Sequence, residues 1–335
     1  MEELDEPPDK SHMIGGTPLL RSRSLESLVG CRRLYIKLEG SNPTGSHKDR
    51  AAVECLEEAR KGGYNSLAIA TCGNFGASFA YFAPLYGMRA HIYIPSSYSG
   101  GRLREIAGYG ALIHLVEGTY EDAVELASRE AKENDWYDAN PGVEQNTIAS
   151  LRGYVSIALE IYRELGYTPD VVAVPVGNGT TLSGVYHGFR MLHDDGVSGG
   201  IPRMIAVSTP HDNPIVRSFL SGRRMIEDLQ PSEIKETVVN EPLVSWHSFD
   251  GQLALDALWE SGGWAVPVPD QEMAHYSELI ASLEGLSVLP ASASALAALR
   301  KVSEREKLED VSCVAVLTAG RPRCPWGNLE GDPLR

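Results

Sequence analysis

The sequence predicts an α/β fold with mainly parallel sheets covered on both faces by helices. Three observations predict it. Short β-like runs alternate with helical ones along almost the whole chain, a strand such as 170–176 reads as buried, being apolar from Val171 onward, and glycine-bearing turns sit where strand gives way to helix. At 335 residues the chain can bury a large core and is expected to divide into two domains.

The elements follow in order. Residues 33–40 alternate like a strand, and Asn42-Pro43 with Gly45 makes a turn. From Lys48 onward Ala52, Val53, Leu56 and Ala59 recur at helical spacing. Residues 66–70 read as a strand and 74–86 as a helix. Residues 89–95 are again strand-like and 101–109 helical, and 111–116 with the amphipathic 120–134 repeat the unit. A second series begins with a long helix at 148–165, a buried strand at 170–176 and a helix at 181–193. It continues with a strand at 204–209 and closes with a helix at 291–302 and a strand at 311–318. Residues 222–250 mix polar and apolar side chains without a period and receive no assignment. No internal repeat or low-complexity segment interrupts the pattern.

Charge and composition exclude several functions. Thirty basic against 45 acidic residues leave a net charge of −15, which argues against a nucleic-acid surface. Any anionic ligand must then be captured by a local feature, because the global field repels it. No apolar run approaches the ~20 residues of a membrane span. Residues 1–10 are acidic and proline-bearing, unlike a signal peptide, and are expected to fray. Cys31, Cys55, Cys72, Cys313 and Cys324 form no CxxC pair, so a reducing cytoplasm is expected in place of a disulfide framework or a zinc ribbon. The histidines form no metal-ligand spacing.

Four features carry chemistry. Lys48 falls in the first turn of a helix, where the helix dipole disfavours a cation and so favours a reactive amine. Residues 71–76 (Thr71-Cys72-Gly73-Asn74-Phe75-Gly76) form an elbow whose N–H groups suit a carboxylate, with Asn74 as an added donor. Residues 175–184 form a second elbow. There Gly177, Asn178 and Gly179 let backbone approach a phosphate, and Thr180 and Thr181 add hydroxyls. It is neither a Walker A loop nor a strict GxGxxG fingerprint. Thr318 ends the last apolar strand, where open α/β sheets place ligands. An amine, a carboxylate pocket, a phosphate cradle and a terminal hydroxyl together match the needs of pyridoxal phosphate.

The chain resembles the fold-type II pyridoxal-phosphate enzymes, the tryptophan-synthase-β superfamily. Gly15-Gly16-Thr17-Pro18-Leu19, Asn42 to Arg50, Pro175 to Asn178 and Leu289-Pro290-Ala291-Ser292-Ala293 carry the resemblance. The Asn42 to Arg50 segment and the phosphate loop are most similar to threonine synthase. His47, where phenylalanine is usual, is closer to a tryptophan-synthase-like segment. The resemblance implies two three-layer α/β/α domains with the cofactor between them. It implies an N-terminal segment (1–47) packed on the C-terminal domain, a smaller substrate-loop domain (48–150) and a larger phosphate-binding domain (151–335). It also implies that Lys48 forms the imine with the cofactor, that Asn74 bonds its 3′-oxygen and that Gly177 to Thr181 hold its phosphate. Thr318 would face the pyridine nitrogen, and residues 71–75 would bind the substrate carboxylate.

What the resemblance implies is elimination or replacement on an amino acid, led by threonine formation from O-phosphohomoserine and water. Ser46, Arg152 and the Arg102/Arg104 pair are candidates for the substrate phosphate. Cysteine-synthase-type β-replacement and serine/threonine dehydration are the rivals, and a catalytically silent anion-binding scaffold is the non-enzyme alternative. A cytoplasmic homodimer acting on a small amino acid, away from membrane and nucleic acid, is the expected setting.

Overall fold

The computed structural model describes residues 13–71, 73–96, 102–308 and 310–321. Cys72, Cys324, Gly101 and the acidic N-terminal ten residues lie outside the described residues.

Two sheets organise the molecule. The larger takes β1 (Leu19–Arg21), β2 (Arg33–Leu38), β7 (Val171–Pro175), β8 (Arg203–Ser208), β9 (Trp264–Pro267) and β10 (Ser312–Leu317). Its order is β1-β2-β10-β7-β8-β9, parallel throughout except for the β1–β2 pair. The smaller sheet is wholly parallel, ordered β5-β4-β3-β6 from β3 (Ser66–Ala70), β4 (Arg89–Pro95), β5 (Leu112–Val116) and β6 (Tyr137–Asp138). β3, β7 and β10 are buried at every position, because helices cover both faces.

On one face of the larger sheet lie α1 (Arg23–Val29), α10 (Asp270–Glu284) and α11 (Pro290–Ser303), which share one apolar core. The other face packs α6 (Glu144–Leu165), α7 (Thr180–Asp194), α8 (Pro214–Leu220) and α9 (Gly251–Glu260). In the smaller sheet α2 (Lys48–Lys61), α3 (Asn74–Phe82) and α4 (Leu103–Gly108) bury one face, and α5 (Tyr120–Asn134) the other. Thr119 starts α5 with a capping box, its hydroxyl accepting the Asp122 N–H.

α6 joins the two cores. It runs against α7 and also crosses α2, so closely that a Cβ on Gly153 would sit 2.5 Å from the Arg50 carbonyl oxygen. Only glycine allows that approach. The crossing brings the face of α6 beside Gly153 up to the first turn of α2, where Lys48 stands.

The sequence expected α6 from 148 and it begins at Glu144; the α4 expected over 101–109 is the shorter Leu103–Gly108. The sequence pattern marks no element at β1, α1, β6, α8, α9, β9 or α10. Residues 222–250 contain two single 3₁₀ turns, Pro231–Glu233 and Glu241–Leu243, in otherwise irregular chain. This segment has no period because distant polar groups hold it. Asn213 Nδ2 donates to the carbonyls of Gly177 (2.9 Å) and Leu243 (3.0 Å), and Ser208 Oγ donates to Leu243 (2.8 Å). Among the described residues no helix is long and apolar enough to cross a membrane.

Candidate active site

The loop into α2 is pinned before Lys48 is reached. Gly45 turns the chain at φ +84°, Ser46 bridges Ala319, and the His47 N–H donates to the Thr318 carbonyl at 2.9 Å. Asp49 accepts from the Thr44 N–H (2.8 Å), the Thr44 hydroxyl (2.5 Å) and the Ser78 hydroxyl (2.6 Å). These bonds set Lys48 beside the carboxyl end of β10, the position open α/β sheets use for ligands.

The Lys48 amine donates to the Tyr154 hydroxyl at 3.1 Å and lies 5.2 Å from the Phe75 ring centre. Burial lowers its pKa to about 8, with Asp250 pulling the other way. The low pKa expected from the helix terminus is thus found, with burial as its main cause. Burial also pushes the Tyr154 phenol well above its ordinary value, so it remains protonated.

Lys48, Thr71, Phe75, Asn178 and Thr180 wall one cavity, together with residues that sequence reasoning missed. Asn146, Ser150 and Tyr154 come from α6. Their spacing of four puts all three on one face, a signal present in the sequence and unused. Arg152, two residues from Tyr154, cannot share that face. It is about half exposed and pairs with Glu58 (2.5 Å) and Glu54 (3.4 Å), side chains on the outside of α2. Its expected place at the substrate is therefore corrected. Asp250, from the unassigned segment, is another missed wall. It accepts from Thr147 at 2.8 Å and from Thr180 at 3.0 Å. No local sequence signal marks it.

The second elbow is an anion cradle in backbone. Gly179 at φ +86° opens α7, and among the described residues no acceptor takes an N–H of Gly177 to Thr181. A Cβ at Gly177 would meet the Pro242 carbonyl at 2.8 Å, and one at Gly179 the Ala254 Cβ at 2.6 Å. Asn178 Oδ1 is buried without a partner, an atom left for a ligand.

Both threonine hydroxyls already have acceptors. Thr180 bonds Asp250, and Thr181 lies 3.0 Å from His47 Nε2. Burial, with Lys48 nearby, holds His47 neutral by lowering its pKa well below the ordinary value. Its Nδ1 is 3.0 Å from the Thr318 carbonyl, which can only accept. The proton is therefore on Nδ1, and Nε2 accepts from Thr181. The donors facing the cradle are thus the N–H groups, in place of the expected hydroxyls.

Other expected residues surround the cavity without walling it. Thr318 bonds Ser292 at 2.9 Å at the end of β10. Ser46 is fully buried and accepts the Lys48 N–H at 3.3 Å. Gly73 precedes α3, and the Asn74 side-chain oxygen Oδ1 takes a hydrogen bond from Arg102. Arg102 is itself buried against Glu105 and carries no free charge for a substrate phosphate.

Residues 10–319 match the family model described as "Pyridoxal-phosphate dependent enzyme". The chain is 33% identical over 311 residues to threonine synthase of Methanocaldococcus jannaschii, covering 91% of this chain and 74% of that one. It is 31% identical over 332 residues to threonine synthase of Bacillus sp. strain ULM1, covering 98% and 88%. In fold it is similar to serine racemase from Dictyostelium discoideum (TM-score 0.75, 21% identity, 93% and 94% covered). It is also similar to processed threonine deaminase isoform 2 from Solanum lycopersicum (TM-score 0.75, 19% identity, 92% and 85% covered). The architecture is the fold-type II one, and the chain belongs to the pyridoxal-phosphate dependent enzyme family, with pyridoxal 5′-phosphate as its cofactor.

Proposed function

We propose that this enzyme carries out elimination or replacement on a small amino acid, and that the reaction is threonine formation from O-phosphohomoserine and water. The observation that carries the chemistry is the half-buried Lys48 amine, with a pKa near 8, in one cavity with the glycine-framed start of α7. The threonine synthase names of the curated relatives support the substrate.

The residues present fit the cofactor. Unpaired N–H groups from Gly177 to Thr181 suit its phosphate, and the two glycines leave no room for side chains there. When bound, the cofactor supplies an electron sink for the charge left on the substrate's α-carbon. Lys48 Nζ is the amine that holds the cofactor, and the same amine when free takes the Cα proton. Tyr154 orients that nitrogen from 3.1 Å, and Phe75 shields it from water. Asn74 Nδ2 would donate to the cofactor's 3′-oxygen. Thr318 is the residue that would meet the ring nitrogen, and its neutral hydroxyl there would favour elimination or replacement over transamination. Thr71 and Gly73 take the substrate carboxylate. Lys48→Ala should lower kcat/KM by about a thousandfold or more.

One observation favours a second reading. Among the described cavity walls Lys48 is the sole cationic side chain, and Asp250 contributes a carboxylate. A substrate phosphate dianion would find no counter-charge there, whereas serine, threonine or an acetyl ester would not need one. That lining suits dehydration or β-replacement. The cofactor-loaded protein, given O-phosphohomoserine, O-acetylserine, O-phosphoserine, serine and threonine in turn, separates the two. Threonine and phosphate from O-phosphohomoserine alone support the first reading. Keto acid from serine or threonine, or a sulfide-dependent product from a serine ester, replaces it with the second. A cytoplasmic homodimer is the assembly we propose, tested by sedimentation of the purified protein and fractionation of cells.

A further inference from the structure

Arg102 is a buried guanidinium whose four hydrogen bonds link three elements around the site. Nη1 donates to Asn74 Oδ1, and Nη2 donates to the Thr44 carbonyl at 2.6 Å. Nε and Nη2 form a fork on Glu105 at 2.9 and 2.8 Å. Its side chain is only 9% exposed, so the Glu105 carboxylate neutralises it in place. Thr44 belongs to the turn before Lys48, Asn74 begins α3, and Glu105 lies in α4.

The contact with Asn74 has a directional consequence. A carboxamide can present either its oxygen or its nitrogen, but a guanidinium carries donors alone. Arg102 therefore requires Oδ1 on its side, leaving Nδ2, which has no hydrogen-bond acceptor among the described residues, to turn the other way. A charged donor on the carbonyl also polarises the amide and strengthens its N–H as a donor.

We propose that Arg102 is a positioning residue for the cofactor, fixing the Asn74 amide so that Nδ2 donates to the ring oxygen next to the Lys48 linkage. This rests on the reading of Asn74 given above and assigns the group that enforces it. Glu105 and Thr44 anchor the guanidinium, and Asn74 is what it delivers.

The test uses cofactor-loaded wild type, Arg102→Met, Arg102→Lys and Asn74→Ala, read by absorbance without substrate. A donor to the ring oxygen stabilises its anionic form and hence the visible band over the near-ultraviolet one. Asn74→Ala and Arg102→Met should both lower the visible-to-near-ultraviolet ratio, by about fivefold, the change expected for one hydrogen bond of ~1 kcal/mol. Arg102→Lys keeps a charge and a donor and should recover part of the ratio, which also serves if Arg102→Met does not fold. Circular dichroism confirms that each variant is folded. If Asn74→Ala lowers the ratio while folded Arg102 variants keep the wild-type value, Arg102 does not position the amide. An unchanged ratio in Asn74→Ala overturns the Asn74 reading itself, and the proposal with it.

Discussion

At Lys48 the same burial that makes the amine reactive costs the folded protein stability. Its pKa is about 8 in the fold against an ordinary 10.5, so between those values the unfolded chain binds more protons than the folded one. Stability therefore rises with pH across that window, and the cost is fully present below about pH 8. Cofactor-free Lys48→Met should unfold at higher urea than the wild type at pH 7. The difference should shrink as pH climbs from 8 towards 10; an advantage independent of pH would mean the amine is not the cause. Arg152 is the opposite case. Its exposed pairs with Glu54 and Glu58 are worth under about 1 kcal/mol. Arg152→Ala should leave KM unchanged in steady-state assays, and a large rise in KM would return it to the substrate. Lys48 was legible in the sequence because a strand, a turn and a helix start follow one another locally. Arg152 was misplaced because residue type was weighed without its position on the helix.

Among the elements, α6 and the start of α7 decide the geometry. Along α6 the polar positions 146, 150 and 154 face the cavity while 152 faces α2, so helical periodicity sorts one segment into site and surface. The turn into α7 depends on Gly179, at φ +86°, where an added Cβ would lie 2.6 Å from the Ala254 Cβ. Gly179→Ala adds left-handed strain of about 1–3 kcal/mol and a clash at the cradle. Cofactor affinity measured by equilibrium dialysis should fall about tenfold or more, and an unaltered affinity would place the phosphate elsewhere. This turn was readable from its glycines after a buried strand. Asp250 was not, because it reaches the cavity through a segment whose shape is set by partners such as Asn213 and Ser208.

Across the whole molecule, a buried ion network joins the N-terminal strands to the helices of the site. Arg50 forks onto Glu39 (2.7 Å) and Glu160 (2.7 Å), and Lys37 bonds Glu160 (2.8 Å) and Glu164 (2.9 Å). Burial opposes ionisation of Glu160, but Arg50 and Lys37 prevail and hold its pKa at about 2. Arg50→Met would leave Glu39 uncompensated in the interior and Glu160 with Lys37 alone, at a cost of about 3–5 kcal/mol. Thermal and urea unfolding should show it, and a loss below 1 kcal/mol would mean water relieves the carboxylates.

The alternation of strands and helices over 33–134 and 148–209, the strand–turn–helix setting of Lys48 and the glycine elbow before α7 were determined by the sequence itself. Each depends on periodicity and backbone freedom within a dozen or so neighbouring residues. Tertiary structure alone decided which side chains meet at the amine. Tyr154 reaches Lys48 across 106 positions, and Asp250 meets Thr180 across 70. So did the roles of His47 and Arg102, whose partners are fixed by packing between elements. Local preference sets the elements, but the burial that sets a pKa and the distances that pair donors with acceptors exist only once the elements are packed together.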